Sequence, residues 1–495
     1  MLYKSTRSTV KAEFSSAEVI KKGLADDGGL FVPAEIPTLD QKEISSLCGE
    51  PYYKRAAYIL SKFLTDYSYD ELLVDCAAAY SEGSFSGGAA PLVKICNNPS
   101  PLYSLELWHG PTAAFKDMAL QIMPRLLSRA LVKTGERRTA MILVATSGDT
   151  GKAALEGYRD VEKTRITVFY PLDGVSRVQK LQMATQTGSN VDVCAIHGNF
   201  DDAQNGVKQI FADAEMAKAL NDVGCFFSSA NSINWGRLAP QIVYYVSAYC
   251  DLLESGAIRF GEVIDIVVPT GNFGNILAAY IAKLMGLPFG KLVCASNSNN
   301  VLTDFLTTGT YDRNRAFHLT MSPSMDILIS SNLERLLYFI AGPERTAGWM
   351  EELKSCGKYS VDADTLAKIN ETFVGYFADE DETASTIRKY FSDYSYLADT
   401  HTAVALACAE KYRTENTDGR VIVTASTASP YKFAADVYRS LTGKSPSGDL
   451  EALDELKDLT AVPIPFPLDG IGERKIRFTG AIEKSDMKKY LLEHI

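Results

Sequence analysis

Histidine is scarce in this chain: among 495 residues there are five, His109, His197, His318, His401 and His494, with no two at metal-ligand spacing. Little material is left for a structural or catalytic zinc site, and no metal is expected. There is no Cys-x-x-Cys pair. The nine cysteines are odd in number and scattered from Cys48 to Cys408, which excludes a disulfide framework. They read as reduced core residues of a cytosolic protein, so a cytoplasmic location is expected. No stretch approaches the roughly 20 consecutive apolar residues of a membrane span. The first thirty residues lack a continuous apolar segment and carry acidic side chains, unlike a targeting signal. Positive charge is also in deficit. Lys and Arg number 50 against 61 Asp and Glu, a net charge of −11, which argues against nucleic acid or an anionic membrane as partner.

What is present is an ordinary globular composition, 46% hydrophobic and 22% charged. At about 100 to 200 residues per domain, two to four domains are expected. The first ninety residues look mainly helical, with apolar positions three or four apart in YKRAAYILSKFL and DELLVDCAAAY. The segment SEGSFSGGAAP (81–91) breaks that pattern. Thereafter short β-branched runs alternate with Gly- or Asn-rich turns and helical periodicity. The runs are TAMILVA (139–145), ITVFYP (166–171), VDVCAIH (191–197), DIVVP (265–269), KLVCAS (291–296) and, much later, VIVTAS (421–426). Continuous apolar strands alternating with helices predict an α/β fold of open, mostly parallel sheets covered on both faces. The intervening stretch, about 335–400, reads as a helical insertion, and its acidic ADEDET as a solvated surface.

Ligands of open α/β sheets bind at the carboxyl ends of strands, so the turns there are the candidates. In VVPTGNFGNILAAYIAKLMGLP the run Gly271-Asn272-Phe273-Gly274-Asn275 lies between a strand and a helix with Leu277, Tyr280, Ile281 and Leu284 on one face. Glycines permit close backbone approach, and the N–H groups of a helix start favour an anion, so a phosphate cradle is the natural reading. The dinucleotide G-x-G-x-x-G spacing is missing. VATSGDTGKAAL carries Gly151-Lys152 but lacks the other positions of a nucleotide P-loop. It remains a helix start rich in hydroxyls, with Thr146, Ser147, Asp149 and Thr150 suited to an anion if Asp149 faces elsewhere. Lys116, between Phe115 and a helix with apolar Met118, Ile122, Leu126 and Ala130, would sit against a buried wall, where a lysine is readily neutral and nucleophilic. Its alternative is an ordinary ion pair, for example with Asp117. Ser426, Thr427 and Ser429 follow the last strand and would either cap the next helix or face a ligand.

In this order the segments resemble the threonine synthases, in the long form of bacteria and fungi, within the fold type II group of pyridoxal-phosphate enzymes. The resemblance runs through YKSTR (3–7), GLADDGGLFVP (23–33), HGPTAAFKD (109–117), TSGDTGKAAL (146–155), NSINWGRLAPQIVYY (231–245), PTGNFGN (269–275), MDILISSNLERLL (325–337), DTHTAVA (399–405) and TASPYKF (427–433). It implies a fold type II architecture with an N-terminal mainly helical domain, 1–93. A large α/β domain would take 94–135 and 200–495, and a small α/β domain 136–199.

The resemblance also implies site roles. Lys116 would be the Schiff-base lysine and the later general acid and base. Gly271, Asn272, Phe273, Gly274 and Asn275 would hold the phosphate of pyridoxal 5'-phosphate, Thr427 would face its ring nitrogen, and Asp149 would lie near its ring oxygen. Thr146, Ser147 and Thr150 would bind the substrate carboxylate, and Asn231, Ser232, Asn234 and Arg237 the substrate phosphate. For NSINWGR the plain alternative is a helix cap followed by a core tryptophan. The implied enzyme is a carbon–oxygen lyase converting the small molecule O-phospho-L-homoserine and water to L-threonine and phosphate. Its alternative is a phospho-lyase or dehydratase on a related amino acid. A monomer is expected, a dimer being the other option. Where the family often has histidine this chain has Ser429, and Gly236 stands where alanine is frequent.

Overall fold

The computed structural model describes residues 1–9, 14–146, 148–172 and 175–494. The N-terminal region opens with a short antiparallel pair, β1 (Tyr3–Ser5) and β2 (Phe31–Pro33), around the helix Ser16–Lys22. Helices Gln41–Leu47, Tyr52–Phe63 and Tyr69–Ala79 follow. Three of these four helices begin with reciprocal capping boxes, Ser15 with Glu18, Asp40 with Glu43 and Ser68 with Glu71, which explains their sharp starts. The region docks on Trp235–Glu254, a 20-residue helix whose side chains are nearly all buried. Trp235 is fully buried between Tyr3 and Phe63, with ring centroids 5.5 and 5.7 Å away. Arg55 reaches the same helix at Ser247, Asp251 and Glu254.

Two large sheets organise the remainder. The larger combines β3 (Leu92–Cys96), β4 (Leu102–Glu106), β9 (Ile264–Pro269), β10 (Phe289–Ser296), β13 (Phe373–Phe377) and β14 (Ile422–Ser426) in the order β13-β10-β9-β14-β4-β3. Only β3 runs antiparallel to its neighbour. The smaller is wholly parallel, with β5 (Thr139–Ala145), β6 (Thr164–Pro171), β7 (Val191–His197), β8 (Cys225–Ser228) and β15 (Ala481–Glu483) ordered β15-β7-β6-β5-β8. The apolar runs read from the sequence form the central strands of both sheets, buried on both faces as the continuous Val/Ile/Leu pattern requires.

Three sequence expectations need correction. The smaller sheet is not confined to 136–199: β8 and β15 extend it, because β5 and β7 would otherwise expose unpaired edges. The 335–400 stretch is not purely helical. It supplies β13 to the edge of the larger sheet and β12 (Lys358–Ser360), which pairs with β11 (Thr310–Asp312). The apolar helix after Lys116 is two helices, Asp117–Leu120 and Met123–Lys133. Pro124 has no N–H to give the Leu120 carbonyl, so the ladder breaks there. That carbonyl instead faces Gly157, where any Cβ would come within 1.9 Å of it.

Candidate active site

The loops after β4, β5, β8, β9 and β14 all end at one cavity of about 900 Å³, between the two sheets and at the carboxyl ends of their strands. Adjacent strands β4 and β14 deliver Lys116 and Thr427 together. Their following loops pair at Ala114 and Ala428, with Phe115 N–H donating to the Thr427 carbonyl at 2.8 Å. Lys116 lines the cavity with its amine 3.2 Å from Ser324 Oγ and 3.7 Å from Asp149 Oδ2. Burial pushes the Lys116 amine below the ordinary lysine range. Asp149 opposes that, and the cations of Lys432 and Arg237 add to it. The neighbouring acid is not the ion partner weighed from sequence. Asp117 turns away to accept from Thr112 N–H and Oγ1, both at 2.8 Å, and burial raises its carboxyl to about 7.

On one side, Gly271 to Asn275 wrap the start of the helix Gly274–Leu284. Phe273 sits in the left-handed region (φ 62°), and among the described residues no side chain caps this helix, whose first N–H groups therefore stand open at the cavity. Asn275 Oδ1 accepts from Tyr244 and Tyr245 hydroxyls, each at 2.6 Å, which fixes its amide. Its Nδ2 is buried without a partner. On another side, Arg237 is 4% exposed and spends one N–H on the Ala230 carbonyl. Its Nε is unpartnered and, among the described residues, no carboxylate pairs with it. Burial alone lowers it to about 10. Arg335 offers a contrast. Equally buried, it gives its N–H groups to the Phe31 and Ile233 carbonyls and to Asn332, and ties the N-terminal region to the body.

The other predicted residues divide. Thr146 and Thr150 line the cavity, and Thr146 Oγ1 accepts from Gly148 and Gly151 N–H, so only its proton remains to be given. Ser147 lies outside the described residues. Asn231 and Ser232 also line the cavity, where Asn231 Oδ1 accepts from Ile233 N–H. Asn234 lines the cavity too, and part of its amide is engaged by the protein. Its Oδ1 caps the helix at Gly236 and its Nδ2 donates to the Ile20 carbonyl, so the plain reading of NSINWGR holds for Asn234 and for the core residue Trp235. Asp149 stands just behind the wall: its Oδ1 takes Gln179 Nε2 and Lys432 Nζ, both at 2.9 Å. Ser429 caps the turn at Tyr431.

Sequence reasoning missed Ser324, His401, Asp399, Lys432 and Gln179. Ser324 and His401 line the cavity. The loop bearing Ser324 is pinned to the end of β10 by Asn297 and Asn299, both donating to Asp326. Asp399 caps the helix Thr400–Glu415 and holds His401 Nδ1 at 2.8 Å. The DTHTAVA and TASPYKF segments stood out as motifs, but nothing in their spacing assigned His401 or Lys432.

Two separate walls with unpaired donors thus share one cavity with a buried lysine, and comparisons with known proteins give the family. Residues 2–80 match the family model "Threonine synthase N terminus", 85–427 "Pyridoxal-phosphate dependent enzyme" and 402–468 "Threonine synthase, C-terminal". The chain belongs to the threonine synthase family of pyridoxal-phosphate-dependent enzymes. Threonine synthase of Saccharomyces cerevisiae is 35% identical over 518 residues, covering 98% of this chain and 96% of that protein. The crystal structure of pyridoxal-phosphate-bound threonine synthase from Brucella melitensis superposes with a TM-score of 0.88 at 36% identity, covering 100% and 99% of the two chains. Threonine synthase-like 1 of Macaca fascicularis is 40% identical over 450 residues, 88% of this chain. This chain spans only 59% of that relative's length. The fold and cofactor class expected from the sequence are those of the family.

The residues present fit pyridoxal phosphate. The uncapped helix start and the orphaned Asn275 Nδ2 suit its phosphate, and Lys116 suits its aldehyde. Among the described residues no cluster could hold a metal, and no helix is long and apolar enough to cross a membrane.

Proposed function

We propose that this chain converts O-phospho-L-homoserine and water to L-threonine and phosphate, with pyridoxal 5'-phosphate held by Lys116 and by Gly271 to Asn275. Arg237 carries the reading. A buried guanidinium without a carboxylate, in the same cavity as a second and independent anion cradle, calls for a substrate that is itself an anion. A phosphorylated amino acid supplies that charge.

When bound, pyridoxal phosphate withdraws electrons from the carbons next to the substrate amine. The protein's part is to place and move protons around it. Lys116, kept low in pKa by burial, takes and returns protons at the substrate carbons beside the cofactor, and Ser324 Oγ accepts from its amine between transfers. Thr146, both of whose lone pairs are occupied by backbone N–H groups, donates to the substrate carboxylate. Thr427, on the cavity wall, would offer the ring nitrogen a hydroxyl where a carboxylate would hold a proton on it, and a ring without that proton would favour elimination. Arg237 holds the phosphate until it leaves Cγ, with Asn231 and Ser232 beside it. Phe200, Val207 and Phe211 of one helix, Phe227 and, from the N-terminal region, Leu24 also line the cavity, alongside Lys22, Gln204 and Lys208. Drawing these together excludes bulk water until the β-carbon is ready for hydration.

The test is product analysis with O-phospho-L-homoserine. Threonine and phosphate are expected in equal amounts, and Arg237→Ala is expected to lower kcat/KM by roughly a hundredfold, the loss of a charge-assisted contact of about 3 kcal/mol. A keto acid as the main product, or phosphate release untouched by the substitution, contradicts the proposal.

A further inference from the structure

Lys432 is fully buried and forms no part of the cavity wall, yet its amine lies 2.9 Å from Asp149 Oδ1 and 2.7 Å from Gln182 Oε1. It is placed there by the short turn Pro430–Phe433, capped by Ser429 directly after β14. Asp149 is the first residue of the helix Asp149–Tyr158, and Gln179 Nε2 also donates to its Oδ1. One carboxylate oxygen is thus held by Lys432 and Gln179, and the other faces Lys116 at 3.7 Å.

This arrangement answers a problem of charge. A buried carboxylate needs a cation beside it or it takes up a proton. Lys116 is an unreliable partner, because it must give up its positive charge to act as base or to bond an aldehyde. We propose that Lys432 is the permanent counter-ion of Asp149 and, through it, a positioning residue for Lys116: it keeps Asp149 ionised and aimed at the amine whether or not Lys116 carries a proton. The idea rests on Lys116 being the cofactor lysine for its functional meaning, and on geometry alone for its charge balance.

The charged groups facing Lys116 are few. Asp149 and Lys432 stand on one side, with Lys152 and its partner Glu156 further along the Asp149 helix. Arg237 and His401 line the same cavity, His401 accepting from Ser324 N–H, and Asp117 is turned to Thr112. Lys432 repels the Lys116 charge directly and competes for Asp149. Burial, the largest influence on Lys116, is unchanged by its removal. Loss of Lys432 would therefore leave Asp149 with Lys116 as sole cation, raising the pH at which Lys116 becomes neutral. Neutralising both members should undo this. A lysine that merely braces the fold would alter stability and leave that pH where it is.

The experiment uses the full chain without cofactor. Acetic anhydride acetylates neutral amines, and peptide mass mapping across pH 6 to 10 gives the rate at Lys116 relative to exposed lysines. In Lys432→Met the Lys116 rate near pH 7.5 is expected to fall about tenfold, one pH unit in its midpoint. In Asp149→Asn/Lys432→Met it is expected to return to within about twofold of wild type, since a neutral pair replaces the ion pair. An unchanged Lys116 midpoint in Lys432→Met, or a double variant no better than the single one, overturns the proposal. If Lys432→Met gives no cooperative thermal transition, the double variant must still fold, and its failure to do so also overturns the proposal. A wrong cofactor assignment would appear separately, in cofactor mapping, and would leave this titration unaffected.

Discussion

The backbone N–H of Ser324 donates to His401 Nε2 at 3.1 Å. Nε2 can accept only if the ring proton sits on Nδ1, and Asp399 Oδ2, 2.8 Å from Nδ1, fixes that tautomer. Because Ser324 Oγ meets Lys116 Nζ at 3.2 Å, the Asp399–His401 pair sets where the lysine's hydroxyl partner stands. Replacing His401 by alanine is expected to lower kcat by about ten- to a hundredfold with little change in KM, the usual size of an outer-contact effect. Steady-state kinetics check this, and a KM-dominated loss would place His401 against the substrate instead.

Gly148 has φ 142°, a conformation that side chains rarely adopt, and a Cβ there would come within 2.5 Å of the Gln179 side chain. Gly148→Ala should therefore strain the backbone and push Gln179 away from Asp149. A stability loss of roughly 1–3 kcal/mol is expected in urea unfolding. Adding Gln179→Ala should recover the part due to the clash and leave the part due to φ.

Asp117 gives a pH signature. Its carboxyl is raised by burial from 3.8 to about 7, so the folded chain holds a proton that the unfolded chain releases near pH 4. This contribution is complete below pH 4 and is lost as pH rises to about 7, at up to about 1.4 kcal/mol per pH unit. Asp117→Asn has no such proton to lose. The melting temperature of the variant minus that of wild type is expected to increase from pH 4 to 7 and then level off. A difference independent of pH would mean that Asp117 is ionised throughout.

Asn275→Ala removes the acceptor of two buried hydroxyls. Tyr244 retains Gln241 Oε1 at 3.2 Å, but Tyr245 loses its acceptor outright. The substitution is expected to cost about 1–3 kcal/mol for the stranded hydroxyl and to weaken retention of pyridoxal phosphate on gel filtration. Asn275→Ala/Tyr245→Phe should regain stability without regaining the cofactor.

Much of this was legible in the chain because each signal was local. Apolar β-branched runs became the buried central strands, and Gly271 and Gly274 marked a strand-to-helix turn, where a Cβ at Gly271 would come within 2.8 Å of the Ser324 carbonyl. Lys116 stood out by its apolar setting and Arg237 only through motif resemblance, and the structure brings them into one cavity. What escaped depends on contacts between distant segments. Lys432 meets Asp149 across a sequence separation of 283, β8 and β15 join a sheet begun elsewhere, and the break at Gln121 needs both Pro124 and the bare Gly157. Asn234 is a mixed case: its motif suggested a ligand contact, and the residue lines the cavity while its amide also caps a helix and donates to a carbonyl.

The central claim is that Lys116 is the residue that bonds the cofactor. Loading the chain with pyridoxal phosphate, reducing it with borohydride and mapping the peptides tests this directly. One pyridoxyl group per chain is expected, on Lys116, and none on the buried lysines Lys152 and Lys432. A pyridoxyl group on either of those, or none on Lys116, would contradict it.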